Sequence, residues 1–511
     1  MSRNERVIFI VCICFVALLN VQCSRDDRGS YTESSTLTIH VPDYDERLLG
    51  PLAANPWFLV FLGLTVGPED SDVPQPRLLD RWEHTPDYTK WTVHVRENVR
   101  WGDGVPVTAE DVKFSLELWT NPEIGYEYPF FDEIKVLDSH SLQIMFKEPV
   151  KSKIFTYNWL AMLPKHLVEP LDLDHIFSWP FWVQPVGNGP YRYVRHVPGV
   201  MTELTANPDY YAQQPNIPKV LLRFGGNGLT ELLSGNVDIA TNIKPLQAVQ
   251  LAKDPRFRIY HKIKYQSHNG ILWNHRNPLF QDADVRRALT LSIDRRELHQ
   301  ILNYPDDLPV FDVPATQRHY LEGVVPEPMP YAPERAAQLL TKAGWVDSDN
   351  DGIREKDGQE FRFTLSTTAL TATQAIYIQN QYRRIGVHMD IATYDRSALW
   401  AKVRDPHDFE AAIHNQNHIE GFGDFRFSGY LNPELSRLRD AIWYTIDQEA
   451  ADRDLKKLWQ IVEAATPFTY LHPTLWYFAA HRRVKGLEDD MDLFSNVEYL
   501  SIEEEQSEPD S

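Results

Sequence analysis

Cysteine is nearly missing from this chain of 511 residues: there are three, Cys12, Cys14 and Cys23, and none follows Ser24. The part beyond Ser24 therefore holds no disulfide and no cysteine-ligated metal. Long apolar runs are missing too, except at the start. Arg3 and Arg6 flank the entry to the apolar stretch Val7–Val21, which has signal-peptide length and is short for a membrane span. No later segment is long and apolar enough to cross a bilayer. Basic charge is in deficit: 51 Lys and Arg stand against 72 Asp and Glu, a formal charge of −21. That argues against a nucleic-acid binder, which would normally show a basic face. Nucleophile-elbow, Walker and dinucleotide signatures are absent. With 72 acids, any two of them paired as acid and base would mean little.

What is present is ordinary for a globular protein, 43% hydrophobic and 24% charged. The length suits about three domains with a large core. Fourteen Trp and 23 Tyr are many; core and interdomain packing accounts for most, and a cleft for a flat or apolar ligand is the sharper reading. Met1–Gln22 reads as a signal peptide. Cys23 sits where a bacterial lipoprotein signal places its lipidated cysteine, although Asn20-Val21-Gln22 departs from the usual Leu-small-Gly/Ala. Lipidation at Cys23 is expected, with an ordinary cleaved signal as the alternative. Ser24–Ser35 is a polar tether, and Ser501–Ser511 an acidic frayed tail.

The most informative stretch is Trp91–Trp119. Trp91, Val93 and Val95 alternate with Thr92, His94 and Arg96, the pattern of a half-buried strand. Trp101-Gly102-Asp103-Gly104 supplies a tight turn. Thr108 then N-caps a helix, with Asp111 three residues on in a capping-box arrangement and Val112, Leu116 and Trp119 on the buried face. Gly187-Asn-Gly-Pro-Tyr191 reads as a turn into a strand, and Gly235 as a helix end before Val237–Ala240. Val285, Leu289, Ser292 and Ile293 give helical spacing. Pro333–Leu340 is a helix with Pro at its start, closed by Gly344.

These segments, together with Trp273-Asn274, Asn277–Leu289 and Ile293-Asp294-Arg295, resemble the bacterial extracellular solute-binding proteins of family 5, the peptide, opine and nickel class. The resemblance runs from about Thr36 to Ser501. It implies an α/β fold of the periplasmic-binding-protein type II, with two lobes, a hinge and three domains. It places residues 36–70 in the first part of lobe I, 71–184 in a small second domain and 185–275 in the second part of lobe I. Residues 276–470 form the third domain (lobe II) and 471–500 return to lobe I, with 1–22 as signal, 23–35 as tether and 501–511 as tail. The implied role is that of a substrate-binding protein for an ABC importer, at the periplasm or cell surface. It would be monomeric, with no cofactor, a permease as membrane partner, no nucleic-acid partner, and contact with the membrane only through its anchor.

Three places bear on a site. Asp347, Asp349 and Asp351, before Gly352, imitate the opening of a calcium loop, but position 12 is Gly358 instead of a bidentate Glu; an Asx-stabilised turn is the preferred reading and no metal is assigned. His414 and His418 would share one face of a helix and could ligate zinc or nickel, without a recognisable third ligand. The same region departs from the family. The resemblance implies an acidic Trp-x-Ala-Asp-Tyr-Pro-Asp-Pro run there in peptide-binding relatives, in which an Asp receives the peptide amino terminus. Here the chain reads Asn415, Gln416, Asn417, His418, then Phe422 and Asp424, with Asp424 as the stand-in. Without that Asp, a buried ammonium lacks its counter-charge, and the amides suit a polyhydroxylated ligand equally well. The pocket expected is Trp273, Asn274, Trp400, Asn415, Gln416, Asn417, His418, Phe422, Asp424 and Tyr430, binding an oligopeptide or an oligosaccharide without catalysis. A sensor or scavenger without a permease, and a hydrolase assisted by a metal on His414 and His418, are the alternatives.

Overall fold

The computed structural model describes residues 36–41, 56–66, 75–121, 131–150, 161–171, 176, 179–306, 308–315, 317–404, 408–417, 425–489 and 491–503. The signal peptide, Cys23 and the tether lie outside the described residues, as do His418, Phe422, Asp424 and residues 504–511. Among the described residues no helix is long and apolar enough to cross a membrane.

The first alternating segment forms β1 (Thr36–Val41). A separate antiparallel sheet follows, built from β2 (Leu79–His84), β3 (Lys90–Val95), β4 (Glu133–Val136) and β5 (Ser141–Met145) in the order β2-β3-β5-β4. As the alternation requires, Trp91, Val93 and Val95 of β3 are buried. Helix α1 (Ala109–Trp119) starts after Thr108. The Asp111 carboxylate accepts the Thr108 backbone N–H at 2.8 Å, its hydroxyl at 3.1 Å, and the Lys165 N–H at 2.9 Å. The carboxylate is thus buried and held by three donors.

The chain then forms β6 (Tyr191–Val197), β7 (Met201–Ala206) and β8 (Lys219–Phe224), followed by α2 (Gly228–Leu233), β9 (Ile239–Thr241) and α3 (Pro245–Leu251). The turn before β6 needs its glycine: a Cβ on Gly187 would lie 1.9 Å from the Val60 carbonyl oxygen, while Asn188 accepts the Leu62 N–H at 2.8 Å. Next comes β10 (Phe257–Trp273), seventeen residues long. Beyond it are α4 (Ala283–Leu291), α5 (Arg295–Ile301), α6 (Pro333–Lys342), β11 (Arg362–Thr368), α7 (Ala372–Arg383), β12 (His388–Tyr394), α8 (Arg396–Arg404), β13 (Ala411–Asn417), α9 (Pro433–Tyr444), α10 (Gln448–Ala465) and β14 (Phe468–His481).

Ten of these strands make one sheet in the order β12-β11-β13-β10-β14-β9-β1-β8-β7-β6. Its centre is the antiparallel pair β10 and β14, which belongs to both halves. On one side, Leu37, Ile39, Val220 and Leu222 share a continuous core with Trp91, Trp101 and Val112 of the four-stranded sheet and α1, and α2 and α3 cover the opposite face. On the other side, Trp273, Phe280, Leu289, Phe363 and Tyr382 form one core and Leu272, Leu438, Trp459 and Tyr470 another.

Two expectations are corrected. His414 lies in a strand, β13, instead of a helix. The acidic tail starts later than Ser501, because Ser501–Ile502 pairs antiparallel with Val484–Lys485.

Candidate functional site

Strand direction locates the site. In one half β1 runs parallel to β8 and β9; in the other β11 runs parallel to β12 and β13. Thr241, the end of β9, pairs with Phe478 of β14, and Asn417, the end of β13, pairs with Ser267 of β10. The carboxyl ends of the parallel strands in both halves therefore point toward one stretch of the β10–β14 pair. Open α/β sheets bind ligands outside those ends.

That stretch is where the ladder slips. Lys264 pairs with Thr474, but the next pair is His268 with Pro473, so three residues of β10 fall between adjacent positions of β14. A second irregularity separates Asn269 and Gly270. Proline is rare inside a sheet because it lacks an N–H, and a slip is one place that accepts it. One face of this seam is open to solvent, with Asn415 and Trp476 exposed and Asn269 and Thr474 partly so. The Ser267 hydroxyl lies 3.1 Å from Asn415 Oδ1 and 2.9 Å from the Thr474 hydroxyl. The amides of Asn415 and Asn269 donate to Thr474 Oγ1 at 2.7 and 3.3 Å. The Lys264 ammonium sits 3.7 Å above the Trp476 ring, a cation–π contact.

The expected pocket residues separate into groups. Trp273 is a correction: it is fully buried between Phe280 and Phe363, and its indole N–H donates to Thr469 Oγ1 at 3.0 Å. Asn274 is a second correction, since it is buried and its side chain fixes a turn, donating to the Phe409 carbonyl and accepting the Arg276 N–H. Trp400 is 40% exposed and stacks on His414, ring centroids 5.3 Å apart at 13°, with Phe427 edge-on. Burial lowers the His414 pKa to about 4, so the ring is a neutral aromatic surface at neutral pH. Tyr430 stands apart from the seam network, beside His275 and Phe425. Asn415 belongs to the seam, and Gln416 and Asn417 continue its strand. Sequence reasoning missed Ser267, Asn269, Thr474, Lys264 and Trp476. The available signal was Pro473 inside an apolar strand run.

The acidic turn holds a different set from the one expected. Asp347, Asp349 and Glu355 bring carboxylate oxygens within 4.8 Å of one another, while Asp351 accepts the Ile353 N–H. Asp347 accepts the Gly352 N–H, Asp349 the Asp351 N–H, and Glu355 both donors of Ser348. These Asx-type bonds account for the turn without an ion.

Two half-sheets joined by a shared strand pair, with the parallel ends of both facing the join, define a two-lobed solute-binding protein. The chain belongs to the bacterial extracellular solute-binding proteins, family 5, whose middle-region model matches residues 73–434. Among curated relatives, the oligopeptide-binding protein AppA of Bacillus subtilis is 24% identical over 423 residues, 78% of this chain and 77% of AppA. Its structure in complex with a nonapeptide superposes at TM-score 0.76, 22% identical, covering 92% of this chain and 99% of that one. NikZ of Campylobacter jejuni, solved with Ni(L-His), gives TM-score 0.80 at 22% identity over 92% of this chain and all of NikZ. The fold is thus that of the family 5 binding proteins.

Proposed function

We propose that the chain is the substrate-binding component of an ABC importer and captures an oligopeptide in the crevice over the β10–β14 seam. The observation that carries this is the convergence of parallel-strand ends from both halves on one slipped stretch of two strands. The relatives named for oligopeptide binding support the ligand class. Among the described residues, two strands of the large sheet pass from one half to the other, so lobe rotation bends few backbone pairs. A ligand touching both lobes then stabilises the closed form by its differential affinity for it.

The divisions at residues 70, 184, 275 and 470 are the domain boundaries of this reading. Asn415, Gln416, Asn417, His418, Phe422 and Asp424 line the ligand, with Trp400 as an aromatic wall. The chemistry is recognition without turnover, the protein acts as a monomer, and Cys23 carries the lipid that keeps it beside its permease. Ser267, Asn269, Asn415 and Thr474 are all uncharged. This favours, as a second reading, a polyhydroxylated solute, for which neutral amides and hydroxyls are suitable partners.

Thermal-shift titration with tri- to penta-alanine, maltotriose and the nickel–histidine complex separates these readings. A ligand at ~100 times its Kd adds about 2.7 kcal/mol of stability. A strong shift with free-amine peptides supports the first reading, and a shift with maltotriose alone supports the second. No shift with any of the three overturns both.

A further inference from the structure

The side-chain network at the seam joins the two sides of the slip. Thr474 pairs with Lys264 on one side of the slip, whereas Ser267 and Asn269 lie beyond it, where β10 pairs with the strand that carries Asn415 of the third domain. Its hydrogen bonds can be assigned from donor chemistry. Amide N–H groups only donate, so Thr474 Oγ1 accepts from Asn415 and Asn269. A hydroxyl has one proton to give and two lone pairs. With both lone pairs taken, the Thr474 proton goes to Ser267 Oγ, whose own proton goes to Asn415 Oδ1. Asn415, Thr474 and Ser267 thus close a ring across three strands, β13, β14 and β10.

The backbone there cannot do this work. Pro473 supplies no N–H, and the slip sets three residues of β10 against no matching residues of β14. We propose that Thr474 is the positioning residue of the seam. Its hydroxyl ties the lobes across the slipped ladder and holds the Asn415 amide at the crevice floor, and its strength sets how readily the lobes rotate. This rests on the reading of the seam as the closure hinge of a binding protein. Asn415 is exposed, and its amide has one N–H beyond the one the ring uses. Ligand contact at that group and lobe rotation are thereby coupled through a single hydroxyl.

Hydrogen–deuterium exchange on the ligand-free full chain tests the proposal. Thr474→Val keeps the β-branched shape and removes the hydroxyl. Its expected effect is about tenfold faster exchange in segments 262–270 and 474–477, the equivalent of one to two lost hydrogen bonds, with the cores of both halves unchanged. Ser267→Ala should reproduce this local effect, and Thr474→Ser should exchange like the parent. Unchanged exchange in Thr474→Val, or a uniform rise across both halves, overturns the proposal. Because no ligand enters this measurement, a failed peptide and sugar titration leaves its result standing, and the two readings fail separately.

Discussion

Arg286 and Arg295 sit in the segments that resemble the family, and both point inward. Arg286 donates to the carbonyls of Phe280, Gln281 and Thr466 at 2.5, 3.0 and 3.1 Å, and to that of Ala465. Two of these carbonyls close the end of α10, where the helix dipole concentrates partial negative charge. Burial lowers the Arg286 pKa to about 10, which still leaves it charged at neutral pH. Arg286→Met should fray the end of α10 and cost about 2 kcal/mol. Arg286→Lys should restore little of it, because a single ammonium cannot span four carbonyls. Arg295 is instead paired with a carboxylate, Asp312, at 2.6 and 3.2 Å, with both side chains buried. Asp312→Ala leaves a buried cation alone and should cost roughly 3–5 kcal/mol, and Arg295→Met with Asp312→Leu should recover most of that. Urea midpoints check both, and a midpoint unchanged in Asp312→Ala would sink the second. These two arginines build scaffold, so their presence identifies the fold and says nothing about the ligand.

Among the elements, those with a clean period were legible. In β3 the alternation of Trp91, Val93 and Val95 put the right side chains in the core, and the capping-box spacing of Thr108 and Asp111 located the start of α1. Asp111→Ala should lower the melting midpoint by the equivalent of at least 1–2 kcal/mol, since it removes the cap and also orphans the Lys165 N–H. Asp111→Asn should lose less, because its amide oxygen still accepts. Strand β13 was not legible. Its first half, Ala411–Ile413, is buried, but its second half passes into His414, Asn415, Gln416 and Asn417. Polar residues in a central strand follow no alternation when that strand runs out of a core and onto an open seam. Trp273 misled for the opposite reason: an aromatic beside a predicted crossing resembles a cleft wall until the packing of Phe280 and Phe363 against it is known.

At the scale of the whole molecule, four histidines among the described residues are held neutral by burial. Burial is the first cause in each: it lowers His275, His299 and His414 to about 4 and His472 to about 3. An unfolded chain takes these protons near pH 6.5, so between about pH 6.5 and 4 the unfolded state binds more protons than the folded one. Stability therefore rises with pH through that window and is lost on acidification. Across that window each group contributes on the order of 3 kcal/mol. The melting midpoint should fall steeply from pH 7 to pH 4.5, and His299→Asn with His472→Gln should flatten the slope. A midpoint flat over that range would refute it. Redox conditions should act differently: with no cysteine after Cys23, dithiothreitol should leave the midpoint unchanged. Membrane attachment tests the anchor, as Cys23→Ser should move the protein from the membrane fraction to the soluble one.

The sequence by itself determined the strands and helices with clean periods, the absence of thiol chemistry and the family, because periodicity, capping and turn residues act over a few neighbours. It could not determine the site. Ser267 and Asn269 are separated from Asn415 and Thr474 by some 150 to 200 positions, and only pairing of β10 with β13 and β14 brings their side chains together. The same pairing decided that Trp273 belongs to a core and that Thr474 has a hydroxyl at the join of two lobes. Register between distant strands is set by the packing of whole cores, and that information exists only in the tertiary structure.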